Sequence, residues 1–168
     1  MKILSNLIQK SKASKKHLWL LNRLMRYIVP FNKPHGFSVA KITDDYVQTF
    51  ASYRKKNFNH VRGIHACALA TVGELAAGLS LMSHFSPLEY RLIMSNITID
   101  YHYQAKKNVI ATATFSKNEK TAVLEALLKE GKILQTILTE IKDEENQSIA
   151  TVKSTWQIKP WKAVKTKV

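Results

Sequence analysis

The fold of this chain is decided by the stretch GIHACALATVGELAAGLSLMSH, residues 63–84. Apolar residues occupy almost every face of the helix that it predicts, and a helix that is apolar all round is buried. Seven residues between positions 64 and 84 are alanine or glycine. Such small residues let a sheet approach closely, which accounts for two glycines that each weaken a helix by about 1 kcal/mol. The stretch therefore predicts a buried central helix that begins at Gly63-Ile64-His65 and carries a single carboxylate, Glu74.

Alternating apolar residues predict strands on both sides of this helix. Two strands precede it, over 37–42 and 46–53, with a turn at Thr43-Asp44-Asp45 between them. The segments after it are strands at 91–103, 108–116, 133–141 and 149–158, and a short helix over 121–129 that stops at Gly131. Alternation favours an antiparallel sheet with one face on the helix. The pattern predicts an α+β domain with about six strands.

Residues 1–33 form a separate N-terminal segment. Leucines and isoleucines recur at three- and four-residue spacing over 2–28, with lysines between them and a break at 11–14. A basic amphipathic helix of this kind either docks on its own domain or lies on a membrane surface. We divide the chain into this segment, a domain at 36–159 and a basic tail at 160–168.

The net charge of +14 is concentrated at the two ends of the chain. Residues 1–33 contain eight Lys or Arg and no acid, residues 153–168 contain five and no acid, and residues 34–152 carry a balance of only +1. A nucleic-acid-binding domain usually carries its basic residues on a recognition element inside the fold. We therefore expect no nucleic-acid partner, and the basic ends are solvated or attract an anionic ligand or surface.

The single cysteine, Cys67, allows no internal disulfide and no cysteine-based metal site. No apolar run approaches the ~20 residues of a membrane span, and the basic N-terminus lacks an uninterrupted signal-peptide core. These features predict a cytoplasmic protein without a metal.

Three polar residues around the central helix have a distinctive spacing. Asn59 precedes His65 by six positions, and His65 precedes Glu74 by nine. With this spacing, the segment NHVRGIHACALATVGELAAG (59–78) resembles that of hotdog-fold acyl-CoA thioesterases of the phenylacetate-pathway type, and SNITIDY (95–101) is similar to their strand after the helix. The resemblance covers roughly 36–159. The N-terminal segment looks closer to a poorly characterised bacterial branch of that superfamily.

The resemblance implies a hotdog fold, in which an antiparallel sheet wraps around one long helix. It assigns Glu74 as general base or nucleophile, His65 and Asn59 as positioning groups, and the backbone N–H of Ala66 as oxyanion donor. We place four further residues at the substrate site, with Ser95 or Thr98 orienting the carboxylate: Gly63, Cys67, Ser95 and Thr98. The family's His-Gly-Gly is His65-Ala66-Cys67 here, but a backbone N–H needs no glycine to donate.

Each of these residues also has a purely structural interpretation. Glu74 could cap a backbone or pair with Arg62 or Arg91, and His65 could simply begin the helix. Cys67 has no supporting His/Asp pair, and we expect it to be buried and inert, as such cysteines usually are.

The leading hypothesis is a thioesterase that acts on acyl-CoA or acyl-carrier protein, with coenzyme A entering only as part of the substrate and no other cofactor. The resemblance implies a homodimer or a dimer of dimers, with the active site at the subunit interface. Arg54-Lys55-Lys56 and Lys106-Lys107 are candidates for the CoA phosphates. The alternative is a non-catalytic module that binds acyl-CoA or fatty acyl groups, associated with a membrane through residues 2–28.

Overall fold

The computed structural model describes residues 1–164, so residues 165–168 of the predicted basic tail lie outside it. Its helices and strands follow the chain in this order: α1 (Lys2–Ser11), α2 (Lys15–Ile28), β1 (Ser38–Ile42), β2 (Tyr46–Ala51), α3 (Ala66–His84), β3 (Tyr90–Tyr101), β4 (Val109–Thr114), α4 (Lys117–Glu130), β5 (Ile133–Asp143) and β6 (Ser148–Pro160). Short 3-10 turns occupy Pro30–Asn32, Lys55–Asn57 and Trp161–Ala163.

The six strands form one sheet in the order β1-β2-β4-β5-β6-β3, and every neighbouring pair is antiparallel. α3 packs against β2 to β6. Alternate residues of the strands face it, as in β2, where Val47, Thr49 and Ala51 are buried. The predicted α+β hotdog architecture is confirmed.

α3 lies against the sheet because its small residues remove the side chains that would hold it away. A Cβ atom on Gly73 would come within 2.7 Å of a methyl group of Val152 in β6. By length and hydropathy α3 alone, among the described helices, could cross a membrane, contrary to our expectation that no apolar run comes close. Most of it is buried inside this fold, which is how the core helix of a globular domain behaves.

The N-terminal segment docks on the domain that follows it. α1 packs against α3 through buried Leu4 and Ile8, and α2 packs against β1, with Leu21 fully buried. The predicted break is present, and the Ser14 side chain caps the start of α2 by accepting from the N–H of His17. The segment is therefore docked on its own domain through its inner face, as the first of the two interpretations predicts.

α2 also covers one edge of the sheet. The side-chain amide of Asn22 donates to the carbonyl oxygen of Val39 at 2.9 Å and accepts from the N–H of Val39 at 2.7 Å. These are the two backbone groups that an additional strand would use at this point of β1. The other edge strand, β3, has no strand beyond it among residues 1–164.

α4 is longer than the sequence pattern predicts. It begins at Lys117 rather than Thr121, because Ser116 and Glu119 form a capping box that satisfies the first N–H groups of the helix. Its end agrees with the prediction, since Gly131 has a left-handed conformation with φ of 70°.

Candidate active site

Glu74 lines an apolar pocket of about 620 Å³ beside α3. The pocket lies between α3, the N-terminal segment and the inward side chains of β3 and β6. Its walls include Met25, Phe31, Leu75, Met94, Ile97 and Trp156. A pocket of this size and character suits an acyl chain or another apolar group.

The carboxylate of Glu74 is largely removed from water, and no hydrogen bond within residues 1–164 replaces its lost hydration. Burial raises the pKa of Glu74 above the ordinary range of a carboxyl group. Within residues 1–164 it has neither a hydrogen bond nor an ion pair. Arg91, one of its two suggested partners, donates instead to Gln157. The structural interpretation of Glu74 as a paired or capping carboxylate therefore has no support.

Gly78, one turn after Glu74, makes room for this arrangement. A Cβ atom there would lie 3.0 Å from the indole of Trp156 and 3.7 Å from Oε1 of Glu74. The indole N–H is already used, since it donates to the hydroxyl of Ser154 at 2.9 Å. Trp156 therefore contributes an apolar wall to the Glu74 pocket and no hydrogen-bond donor.

His65 is the N-cap residue of α3. Its Nδ1 atom accepts from the N–H of Cys67 at 3.0 Å, and its backbone N–H donates to the carbonyl of Asn57 at 2.7 Å. A neutral ring whose Nδ1 accepts carries its proton on Nε2. The exposed ring can therefore offer an Nε2–H donor to a ligand, so capping and substrate positioning are compatible roles.

Ala66 follows at the first position of α3. Its N–H has no acceptor within the part of the chain that the structure describes, and the residue is exposed. Its carbonyl oxygen accepts from the hydroxyl of Tyr101 at 3.1 Å, which fixes the first turn of α3 to the end of β3. An open N–H at the positive end of a helix suits a developing oxyanion.

Asn59 and Gly63 shape the loop that leads into α3. Oδ1 of Asn59 accepts from the N–H groups of Val61 and Gly63, at 3.1 and 2.9 Å. Gly63 has no space for a side chain, because a Cβ atom there would lie 2.9 Å from Gln104. Both residues hold the loop in place, and neither lines the pocket of Glu74.

Cys67 is exposed, which contradicts our expectation that it is buried. It occupies the first turn of α3, where residues 65–67 are all exposed. Together with His65 and Lys56 it lines a smaller pocket of about 280 Å³.

Of the residues predicted to bind the phosphates of CoA, Lys56 lies at this smaller pocket. Arg54 instead donates to the carbonyl of Pro34, and Lys107 pairs with Glu145.

The two pockets are neighbours, since Phe31 and Thr71 line both. Nine helical positions nevertheless separate His65 from Glu74, which is about 13 Å along a helix axis. The structure places both residues on connected surfaces of one chain but does not bring their side chains together.

Ser95 and Thr98 are not brought to Glu74. Both are exposed residues of β3, and a bulge between Met94 and Asn96 shifts the register at this point. Ser95 donates to the carbonyl of Thr155, and Thr98 donates to Asn96. The β3 residues that do face the Glu74 pocket are Met94 and Ile97.

The sequence gives no indication of three residues at or near these pockets. Phe31 lines both pockets, the hydroxyl of Tyr101 holds the start of α3, and buried Asn57 bonds to the ring of His35 as well as to the backbone of His65. No spacing in the sequence indicates them, because each acts on a distant segment. No cluster of potential metal ligands occurs within residues 1–164.

Comparison with known protein families gives a match over most of the chain. Residues 18–158 match the model of DUF4442, a domain of unknown function. The chain belongs to the DUF4442 family. The matched region of this DUF4442 protein takes in most of α2 and nearly all of the sheet, so part of the N-terminal segment belongs to the family domain. No curated protein sequence is similar enough to count as a match.

Solved structures share the fold of this DUF4442 protein. A Pseudomonas aeruginosa protein, described as of unknown function and a probable thioesterase, has a TM-score of 0.78 and 20% identity, over 84% of this chain and 95% of its own. A Haemophilus influenzae thioesterase has a TM-score of 0.68 and 14% identity, over 85% and 90%. A Staphylococcus aureus thioesterase has a TM-score of 0.65 and 20% identity, over 78% and 99%.

Proposed function

We propose that this protein hydrolyses the thioester of an acyl-CoA or acyl-carrier protein. The observation that carries the proposal is Glu74, a carboxylate that has no hydrogen bond or ion pair within residues 1–164 and lies in an apolar pocket large enough for an acyl chain. A carboxylate with a raised pKa is a stronger base than an ordinary carboxylate, which suits it to accept a proton from water.

The proposed reaction follows from the groups at the two pockets. A water molecule attacks the thioester carbonyl carbon while Glu74 takes its proton. The N–H of Ala66 and the Nε2–H of His65 stabilise the negative charge that develops on the carbonyl oxygen. The carbon–sulfur bond then breaks, and the thiolate leaves with the proton held by Glu74, so the products are a carboxylic acid and a thiol.

The separation of His65 from Glu74 supports a site shared between two subunits. Because His65 and Glu74 lie about 13 Å apart along the axis of α3, the two side chains of one chain are poorly placed to contact a single carbonyl group. We propose that a second copy of the chain pairs along the open edge of β3 and supplies the α3 start that faces Glu74. The homodimer is therefore part of the proposed mechanism, and Lys56 beside His65 would meet the phosphates of CoA.

One of the similar structures supports the choice of residues. Structures of two variants of the Staphylococcus aureus protein alter a glutamate and a glutamine that lie 15 positions apart. Asn59 and Glu74 are also 15 positions apart in the present chain. The amide and the carboxylate thus recur at the same separation.

The test is thiol release from a panel of short, medium, long and aromatic acyl-CoAs. We expect Glu74→Gln to lower kcat by about 10²-fold or more, the usual contribution of a general base, while the binding of acyl-CoA persists. Glu125→Gln, which changes an exposed carboxylate of α4, is the matched control and should leave the rate unchanged.

Two outcomes would contradict the proposal. Equal rates for the parent and Glu74→Gln would remove Glu74 from the reaction. Saturable binding of acyl-CoA without turnover across the whole panel would favour the non-catalytic binding module instead.

A further inference from the structure

The outer face of α2 combines basic and aromatic side chains. Exposed residues at three- and four-residue spacing share this face, which we call the α2 outer face: Lys16, Trp19, Arg23, Arg26 and Tyr27. Trp19 is 59% exposed and Tyr27 is 69% exposed. The guanidinium carbon of Arg23 lies 5.6 Å from the centre of the Trp19 ring. Large aromatic rings at the surface of a basic helix mark an interaction surface.

The charge of the surrounding segment selects an anionic partner. Residues 1–33 contain eight basic residues and no acid, so no carboxylate of this segment neutralises the α2 outer face. The first acid of the chain, Asp44, pairs with Lys12 and Lys117, which are not on that face. The basic charge of the α2 outer face therefore remains available to a partner.

Exposed apolar residues around the C-terminal end of α2 favour a lipid bilayer over a nucleic acid as the partner. Met1, Ile28 and Phe31 are 64, 46 and 63% exposed, although they are large and apolar. A nucleic acid offers no apolar surface that would bury methionine and isoleucine side chains, whereas the acyl region of a bilayer does. Trp and Tyr with Lys and Arg are also the side chains that prefer the boundary between lipid and water.

The same three apolar residues form part of the rim of the Glu74 pocket. Ile28 is the last residue of α2 and directly follows Tyr27, so the pocket opens at the C-terminal end of the helix that carries the α2 outer face. α2 packs on β1, whereas the dimer proposed above forms at β3, the opposite edge of the sheet. No residue of the α2 outer face belongs to β3 or lines the Glu74 pocket, so dimerisation through the backbone edge of β3 does not use this face.

We propose that the α2 outer face docks on an anionic lipid bilayer, with Met1, Ile28 and Phe31 inserted at the pocket mouth. The docked orientation turns the pocket toward the hydrocarbon of the bilayer. An acyl chain can then enter the Glu74 pocket directly from the membrane. This last step rests on the proposed thioesterase function, but the docking itself does not.

The experiment is co-sedimentation of the full-length protein with vesicles of phosphatidylcholine alone or mixed with phosphatidylglycerol. We expect binding to the mixed vesicles only. Arg23→Glu/Arg26→Glu should weaken this binding by at least about tenfold, because each basic residue near an anionic surface contributes to the attraction. Trp19→Ala/Tyr27→Ala should weaken it at unchanged charge.

Lys132→Glu/Lys153→Glu makes the same change in net charge at exposed sites away from α2 and is the matched control. The proposal is overturned if the parent ignores anionic vesicles, or if the control pair loses as much binding as the α2 pair. Retention on double-stranded DNA together with absence from vesicles would overturn it in favour of a nucleic-acid partner.

Hydrolysis of a short-chain acyl-CoA in solution separates this proposal from the enzymatic one. Arg23→Glu/Arg26→Glu should keep the parent rate, because neither arginine lines the Glu74 pocket or the smaller pocket at His65. Loss of vesicle binding with an intact rate supports docking. Vesicle binding without any hydrolysis leaves the docking proposal standing and contradicts the thioesterase.

Discussion

Glu74 holds its proton more tightly in the folded protein than in the unfolded chain, because burial raises its pKa. Between the ordinary and the raised pKa, the native state therefore carries a proton that the unfolded chain has released. The free energy of unfolding then falls as pH rises through this window, and the full contribution of Glu74 is present only below the ordinary carboxyl pKa.

We expect the stability of the parent to decline relative to Glu74→Gln as pH increases, since glutamine does not titrate. Urea unfolding of both proteins at several values between about pH 4 and 8 measures the difference. Glu125→Gln, at an exposed site, should track the parent at every pH. A constant difference between the parent and Glu74→Gln would contradict the raised pKa.

The sequence locates the polar residues of the candidate site along the chain, but it does not predict their surroundings. His65 and Glu74 could be placed on the central helix because helical spacing is a local property. The exposure of Cys67 could not be predicted, because apolar periodicity does not reveal which turn of a core helix is exposed to solvent. The bond from Tyr101 to Ala66 joins residues 35 positions apart, and its existence depends on how β3 and α3 pack.

At the scale of elements, the distance between α3 and the sheet depends on Gly73. Gly73→Ala gains helix propensity, about 1 kcal/mol, but its Cβ atom would lie 2.7 Å from a methyl group of the stiff Val152 side chain. We expect the clash to win and the free energy of unfolding to fall by about 1–2 kcal/mol. Urea denaturation measures this change.

Val152→Ala provides the control, because it removes the methyl group that the new Cβ atom meets. In that background Gly73→Ala should be neutral or stabilising, so the two substitutions are coupled. An equal cost of Gly73→Ala in both backgrounds would show that Gly73 matters for another reason.

The elements themselves were predictable because each has a distinct period in the sequence. Both N-terminal helices, the central helix and all six strands are present where alternation or helical spacing predicts them. The early start of α4 was not predicted, since its first turn depends on the Ser116–Glu119 capping box rather than on apolar spacing. The sequence pattern alone does not predict the docking of α1 on α3, because a basic amphipathic helix can pack on a membrane or on a protein core.

At the scale of the whole molecule, a shared site makes a distinctive prediction for mixed subunits. If His65 of one protomer acts with Glu74 of its partner, His65→Ala and Glu74→Gln are each inactive alone. Each mixed dimer would contain one site with both substitutions and one intact site. After mixing, unfolding and refolding, about a quarter of the parent activity should return.

Thiol release measures the recovered activity, and size-exclusion chromatography with light scattering establishes that dimers have formed. Mixing the two proteins without exchange of subunits is the control and should stay inactive. Dimers that exchange but recover no activity would place His65 and Glu74 in the same protomer's reaction.

The single amide of Asn22 has a further consequence for assembly. A sheet with two open edges can add copies head to tail without end, which is the geometry of a filament. Asn22 occupies the backbone groups of Val39 on β1 and so leaves β3 as the open edge of the described sheet. Two copies joined edge to edge at β3 present no further edge of this kind to a third, so growth by strand addition is self-terminating.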